Sequence, residues 1–352
     1  MCADSPTLDQ FRKFCLLAFY QFHQFPGHQA WMRIGKLVRM GYWIGLDRLD
    51  VLRMSSRDWS TASDDDIEDW RLVWWCLYRL DSYANLAVGT PYQVNEQVIN
   101  TALLADQLMS SPDGSSNASL SLPSRHEDLL HTIAAVTALP HQQNHDKMLF
   151  NLHIVTEAAL RRVWRMIQRH SIVDKDNLPE ALAATDRDLS ALRLALPRNF
   201  FNPSRNVFDN ESSTNHHARL VAGLHLMLAQ LLTYLVDCRW KHAAGAGGTD
   251  NTEWLLSWQR VLEGCQNIAK LINQWDSAYS LNIDPAVCLI FFTTLVFLDL
   301  HRKFDGMAGN VALHMDIEHC QTMLLLQLEQ LAGTWTLPRL VIRESMFETS
   351  IR

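Results

Sequence analysis

The sequence predicts an all-α protein, an irregular multi-helix bundle. Three observations carry this. Apolar residues recur through most of the chain at i, i+3, i+4 and i+7, the spacing of one face of a helix. No run alternates apolar and polar residues between turn signals, as a half-buried strand does. No segment repeats at a fixed period, which argues against a regular solenoid.

The elements follow in order. Ser5-Pro6 offers an N-cap with proline in the first turn, and Phe11, Cys15, Ala18 and Phe22 then share one helical face. Pro26-Gly27 breaks that helix. A second helix covers about His28 to Ile44, with Gly45 placed for a left-handed C-cap. Asp47 to Ser63 reads as a loop carrying Trp59. Ser63 caps a third helix, and the aspartates at 64–66 lie where anionic side chains favour a helix N-terminus. That helix runs to about Val88, where Gly89 and Pro91 end it. Residues 110–124 are polar, turn-rich and of low complexity, and read as a loop. Helical patterning resumes from about His126, with a long amphipathic stretch from Asp146 to His170. Further helices are expected over Pro179–Leu196, His216–Trp240, Trp254–Trp275, Pro285–Phe304 and His314–Ala332. Ala243 to Asp250 is a glycine-rich connector.

Composition narrows the classes of function. The 352 residues are 48% hydrophobic and 20% charged, ordinary for a globular protein. A chain of this length buries roughly 75% of its unfolded surface, so its core needs no disulfide or metal. The net charge of −7 disfavours a surface that grips the DNA backbone directly. Seven cysteines, Cys2, Cys15, Cys76, Cys238, Cys265, Cys288 and Cys320, are widely spaced and sit mostly among apolar residues. They read as reduced, buried thiols of an intracellular protein. No C-x-x-C occurs, so these residues form no cysteine zinc cluster. Residues 1–10 have no apolar core of the kind a secretory signal carries. The apolar run from Ala286 to Leu300 holds two threonines and an aspartate. It is shorter than the ~20 residues of a membrane span and reads as a buried core helix.

Two segments are specific enough to suggest a family. Residues 16–48 read LLAFYQFHQFPGHQAWMRIGKLVRMGYWIGLDR, and residues 70–94 read WRLVWWCLYRLDSYANLAVGTPYQV. In order and spacing this pair resembles the core of the fungal-specific regulatory domain, or middle homology region, of zinc-cluster transcription factors. Later stretches are similar to the same domain in the right order: residues 217–235 to its long central helix, and residues 319–341 to its closing helix. The resemblance implies one regulatory domain. Its N-terminal helical part covers 1–109, strongest over 11–100; the loop at 110–124 and a C-terminal helical part over 125–342 follow, and 343–352 is a tail. It departs from the family in lacking the cluster of six cysteines with C-x2-C-x6-C spacing, whose helix docks in the DNA major groove. Met1 also falls inside the usual domain, so the sequence reads as a truncated gene product or a stand-alone derivative.

Each candidate constellation has a structural reading beside a functional one. Trp31, Trp43, Trp70, Trp74 and Trp75 could line a ligand cavity, but aromatic residues at helical spacing are expected in the core; Trp74 and Tyr78 share a face. Asp81 lies one turn further along that face and needs a partner, which Arg39 could supply as a buried pair. The alternative leaves both ends in solvent. Arg161, Arg165 and Arg169, with Arg162 beside them, make a basic helix stripe: a solvated face, or a surface for a protein partner. His141 and His145 have the spacing of a helical metal pair, without the glutamate of H-E-x-x-H; they and His314, His319 and Cys320 are expected to be ordinary helix residues. The run from His301 to Gly306 has a superficial likeness to a kinase catalytic loop but lacks the residues that hold base and magnesium.

The resemblance therefore implies a nuclear transcription-regulator-like protein, not an enzyme. It would act through an attached or partner DNA-binding module, with zinc only in such a module. Protein partners are expected, another zinc-cluster factor or a second copy of this chain, with no membrane and only indirect contact with DNA. The alternatives are a binding module that pairs with an intact factor and tunes or blocks it, and, more remotely, a helical enzyme or ligand-binding protein.

Overall fold

Helix α1, Leu8–Gln24, begins where Thr7 and Gln10 cap each other: the Gln10 amide N–H donates to Thr7 Oγ1 and Gln10 Oε1 accepts from the Thr7 N–H. The expected cap at Ser5 lies outside the described residues, and the reciprocal Thr-x-x-Gln pair explains why the helix starts at Leu8. A computed structural model of the chain describes residues 6–104, 120–123, 128–137, 145–172, 177–207, 210–245, 252–276, 283–304 and 311–350. These are helical almost throughout, which bears out the all-α class; the one bridge between extended segments pairs Ala102 with Ser121. The chain divides into two units, residues 1–157 and 158–352.

In the first unit, Phe11, Ala18 and Phe22 of α1 are buried as the spacing predicts, and Cys15 is half-buried. Helix α2, His28–Ile44, ends at Gly45, whose φ of 83° lies in the left-handed region. A Cβ there would also come within 2.3 Å of Leu52 Cδ1, a flexible side-chain end that can shift, so the backbone conformation is what favours glycine. The stretch expected as a loop is instead helical. A 3-10 turn at Leu46–Arg48 leads into helices α3, Leu49–Ser55, and α4, Arg57–Ser60. The reason is burial: Leu46, Leu49 and Trp59 reach the core, and Trp59 meets the Trp70 ring edge-on. Helix α5, Asp64–Val88, carries the predicted cap, with Ser63 and Asp66 satisfying each other's backbone N–H. It stops at Gly89, φ 70°. Helices α1, α2 and α5 pack mutually. Helix α6, Leu129–Thr137, belongs to this unit, and the unit boundary falls inside helix α7, His145–Ile172. Of the polar run 110–124, only 120–123 lie among the described residues.

In the second unit, α8 (Leu178–Ala195) and α10 (Thr252–Ile272) flank α9 (Ser213–Gly245), which continues three residues into the expected connector. Helices α11 (Cys288–Lys303) and α12 (Val311–Ala332) pack on α10, and α13 (Thr336–Ser350) packs on both. The sequence reading stops its last helix at 332 and does not foresee α13. Pro338 sits in its first turn, where no intrahelical N–H is needed, and Leu337 and Val341 turn inward. By length and composition α9 and α11 could each cross a membrane, yet 61% and 56% of their most apolar windows are buried inside the protein. Both serve as core helices, as expected for Ala286 to Leu300.

Candidate functional site

The residues that carry the family likeness build one construction in the first unit: a strap, residues 90–104, irregular but for a 3-10 turn at Glu96–Val98, tied to the side of α5. Tyr78, Asp81 and Asn85 stand at i, i+3 and i+7 on α5 and are all fully buried. The Asp81 carboxylate accepts from the backbone N–H of Gln93 and of Val94, both at 3.1 Å, and from Asn85 Nδ2 at 2.7 Å. Asn85 Oδ1 accepts from Trp31 Nε1 on α2 at 3.0 Å and from the Thr90 hydroxyl at 2.7 Å. Tyr78 donates to Glu96 Oε1 at 2.7 Å, and Trp75 Nε1 donates to the Ala102 carbonyl at 2.8 Å. An irregular segment has no ladder of its own, so its polar groups need partners when buried. Here α5 supplies them.

The far end of the strap is tied as firmly. Ala102 N–H donates to Asp50 Oδ2 at 2.7 Å, while Asp50 Oδ1 takes a hydrogen bond from Arg71. Burial opposes the charge on Arg71, but its hydrogen bonds to Asp50 and Glu68 outweigh that and raise its pKa. Thr101 donates to the Leu46 carbonyl, and Asn151 of α7 pairs both amide atoms with the Leu104 backbone, at 3.0 and 2.8 Å.

The expected Arg39–Asp81 pair does not form. Asp81 is buried as predicted, but its oxygens turn to the strap's N–H groups, while α2 presents Arg39 to solvent. Trp70, Trp74, Trp75 and Tyr78 are core residues, and Trp31 is half-buried beneath the strap. Trp43 departs from expectation: it is 60% exposed, at the end of α2. The basic stripe is also corrected. Arg161 is 1% exposed, Arg162 and Arg165 are half-buried and Arg169 alone is exposed. Every residue from Asn151 to Leu160 is buried, so α7 turns this face into the protein and Arg161 offers no partner surface. Cys76, expected among buried thiols, is exposed. His141 and the His145 side chain lie outside the described residues.

Sequence reasoning missed Asn85, Glu96, Asn151 and the Asp50–Arg71 link. Asn85 was within reach, because it continues the Tyr78–Asp81 face by one turn. The others depend on contacts far along the chain, which no local pattern encodes.

A groove of about 810 Å³ runs along α1 and α2. Its walls are Phe14, Leu17, Met32 and Leu37, with Arg33, Lys36 and Arg39 along its rim. A smaller recess of about 350 Å³ lies beside the strap, between Trp31, Gly35, Arg39 and Pro91.

The second unit holds a titratable group of another kind. His301 on α11 is fully buried, stacks on Trp258 at 3.8 Å, and neither ring nitrogen has a hydrogen-bond partner among the described residues. Burial lowers its pKa from 6.5 to about 4. As pH falls below about 6.5, the unfolded chain takes up a proton that folded His301 refuses until about pH 4. Stability is therefore lost across that window. Thermal melts from pH 7 to pH 4 should show His301→Phe losing less stability than the parent, by a few kcal/mol. Parallel curves for the two proteins would show that His301 titrates normally.

Residues 4–178, nearly half of the chain, match the family model of the fungal specific transcription factor domain, and this part of the chain is similar to that family. The transcription factor tazR of Aspergillus terreus is 31% identical over 103 residues, covering 29% of this chain and 16% of that protein. The pigment biosynthesis transcriptional activator pigB of Monascus ruber is 28% identical over 103 residues, covering 28% of this chain and 19% of the relative. The matches thus span less than a fifth of either relative. No solved structure matches. The family is named for transcription factors, and the two relatives are named as a transcription factor and a transcriptional activator.

Proposed function

We propose that this chain is a regulatory domain that controls gene expression in the nucleus through a DNA-binding module supplied by an attached segment or by a partner. The observation that carries this is the family match over residues 4–178, which includes α1, α2, α5 and the strap. The net charge of −7 and the absence of any C-x-x-C in these 352 residues support a division of labour. DNA contact and zinc belong to the other module, and this domain works through protein contacts. Catalysis has no part in the reading.

The test is a tethered reporter. The 352-residue chain is fused to an unrelated DNA-binding domain in a fungal host, and transcription is compared with that from the DNA-binding domain alone at equal protein level. A change in output in either direction is expected. Unchanged output from a fusion that is folded and nuclear would overturn the proposal.

A second reading, a separate chain that pairs with an intact zinc-cluster factor and tunes or blocks it, is supported by the same missing cysteine motif. Co-purification with a full-length factor distinguishes it from the first.

A further inference from the structure

We infer that the groove between α1 and α2 is a docking site for an acidic amphipathic helix of a partner protein. This rests on the reading of the domain as one that works through protein contacts, and it says where and with what.

The apolar component comes first. Phe14, Leu17 and Met32 line the groove and are 43%, 48% and 45% exposed. Leu37 forms its floor and is buried. On α1 the exposed positions 14 and 17 are three apart, so they stand one above the other along the groove. Tyr20, Phe25 and Trp43 of the same two helices and their connection are exposed as well. Contiguous exposed apolar surface of this kind marks an interaction site rather than ordinary scatter. Both helices have 17 residues, about 25 Å of axis, enough to seat some four turns of a partner helix.

Charge selects the occupant. Arg33, Lys36 and Arg39 fall at i, i+3 and i+6 along the rim. None of the three makes an ion pair or hydrogen bond among the described residues, in a chain whose net charge is −7. Several other cations of this unit are matched, Arg12 with Asp69, Arg71 with Asp50 and Glu68, and Lys147 with Glu68, whereas Lys13, Arg48 and Arg57 are scattered singly. A row of unmatched cations beside an apolar groove complements a helix with one apolar face and carboxylates at its margins. A second copy of the chain is a poor occupant, because a two-fold contact would set the same three cations against themselves.

The experiment uses the full chain and a designed peptide of about 16 residues, with leucine and phenylalanine at helical spacing and glutamate between them. A control peptide replaces each glutamate with lysine and keeps the apolar face. Fluorescence anisotropy at two salt concentrations should show the acidic peptide binding at least about tenfold more tightly than the control, with the difference shrinking at high salt. The triple variant Arg33→Glu, Lys36→Glu, Arg39→Glu should lose that preference and favour the lysine peptide. If it fails to fold, Lys36→Gln with Arg39→Gln serves, with a smaller loss expected. Equal binding of the two peptides, or no binding of either, overturns the inference. So does a preference unchanged in the variants, a dimer of the chain that the triple variant dissolves, or stronger binding to phosphatidylserine vesicles than to the acidic peptide. Any of these leaves the tethered reporter untouched, so the groove and the regulatory reading fail separately.

Discussion

Asp81→Ala should lower the stability of the first unit by about 3 kcal/mol. The carboxylate is fully buried and accepts from the Gln93 and Val94 backbone N–H groups and from Asn85. Alanine leaves these donors without their acceptor. An orphaned buried donor costs about 1–3 kcal/mol, and the remaining network offsets part of the sum. Asn85 is held in place by Asp81 and in turn receives Trp31 and Thr90, so the loss spreads to the α2 contact and the start of the strap. Asp81→Asn keeps one acceptor oxygen but turns an amide N–H₂ toward a donor, and should fall between parent and alanine. Urea unfolding followed by tryptophan fluorescence measures both, with Trp31, Trp70, Trp74 and Trp75 as reporters close to the lesion. An alanine variant as stable as the parent would mean the strap is not held through Asp81.

The largest effect expected in the second unit is at Arg219, which no reading of the sequence singles out. Its guanidinium, buried on α9, gathers the preceding loop: Nε and Nη2 donate to the two Glu211 oxygens at 2.6 and 3.0 Å. The carbonyls of Phe200, Asn202 and Ser204 accept at 2.6, 2.7 and 3.1 Å. Removing one partner of such a pair leaves an uncompensated buried charge, and Arg219→Ala should cost about 3–5 kcal/mol. Lysine should rescue little, since a point charge cannot replace a planar fork. The pH dependence supplies a second check. Burial opposes ionisation of Glu211, but hydrogen bonds from Arg219 and the Asn206 N–H, with the Arg219 charge and nearby His216, outweigh it and hold its carboxyl below the ordinary glutamate range. A group whose folded pKa is depressed stabilises the fold above its unfolded pKa, and that contribution is lost as pH falls through the lower, folded value. The parent should therefore lose more stability on acidification below the ordinary glutamate pKa than Arg219→Ala does. Equal acid sensitivity would mean the two side chains do not share a site in solution.

Sequence pattern recovers local elements where the information is local. The bounds of α2 and the caps of α5 follow from glycine, serine and aspartate chemistry within a few residues, and the structure shows them as read. The burial of Trp74, Trp75 and Tyr78 follows from helical spacing alone. Failures occur where a distant contact decides. Residues 47–63 look polar and turn-rich, yet Leu46, Leu49 and Trp59 bring them to the core as short helices. Arg161 has the spacing of a solvated stripe, but the helix bearing it is enclosed. Asp81 needs a partner, as its place on the apolar helix face implies, but that partner is not Arg39. Pattern reveals a buried carboxylate's need, but not that a strap returning 12 and 13 residues later meets it with backbone N–H groups. Arg219 and Glu211 are only eight residues apart, but separated by a helix start that hides their meeting.

Gly41 has a mechanical consequence. A Cβ at this position on α2 would stand 3.3 Å from both Leu77 Cδ2 and the Trp74 ring, so α5 approaches α2 closely here and a side chain would require both neighbours to give by a few tenths of an ångström. The same two helices are joined by the Trp31–Asn85 hydrogen bond. Anything that pushes on the outer face of α2 must move α2, α5 and the strap together. In engineering terms the family motif is a beam, and whatever pivots in this protein pivots at its ends.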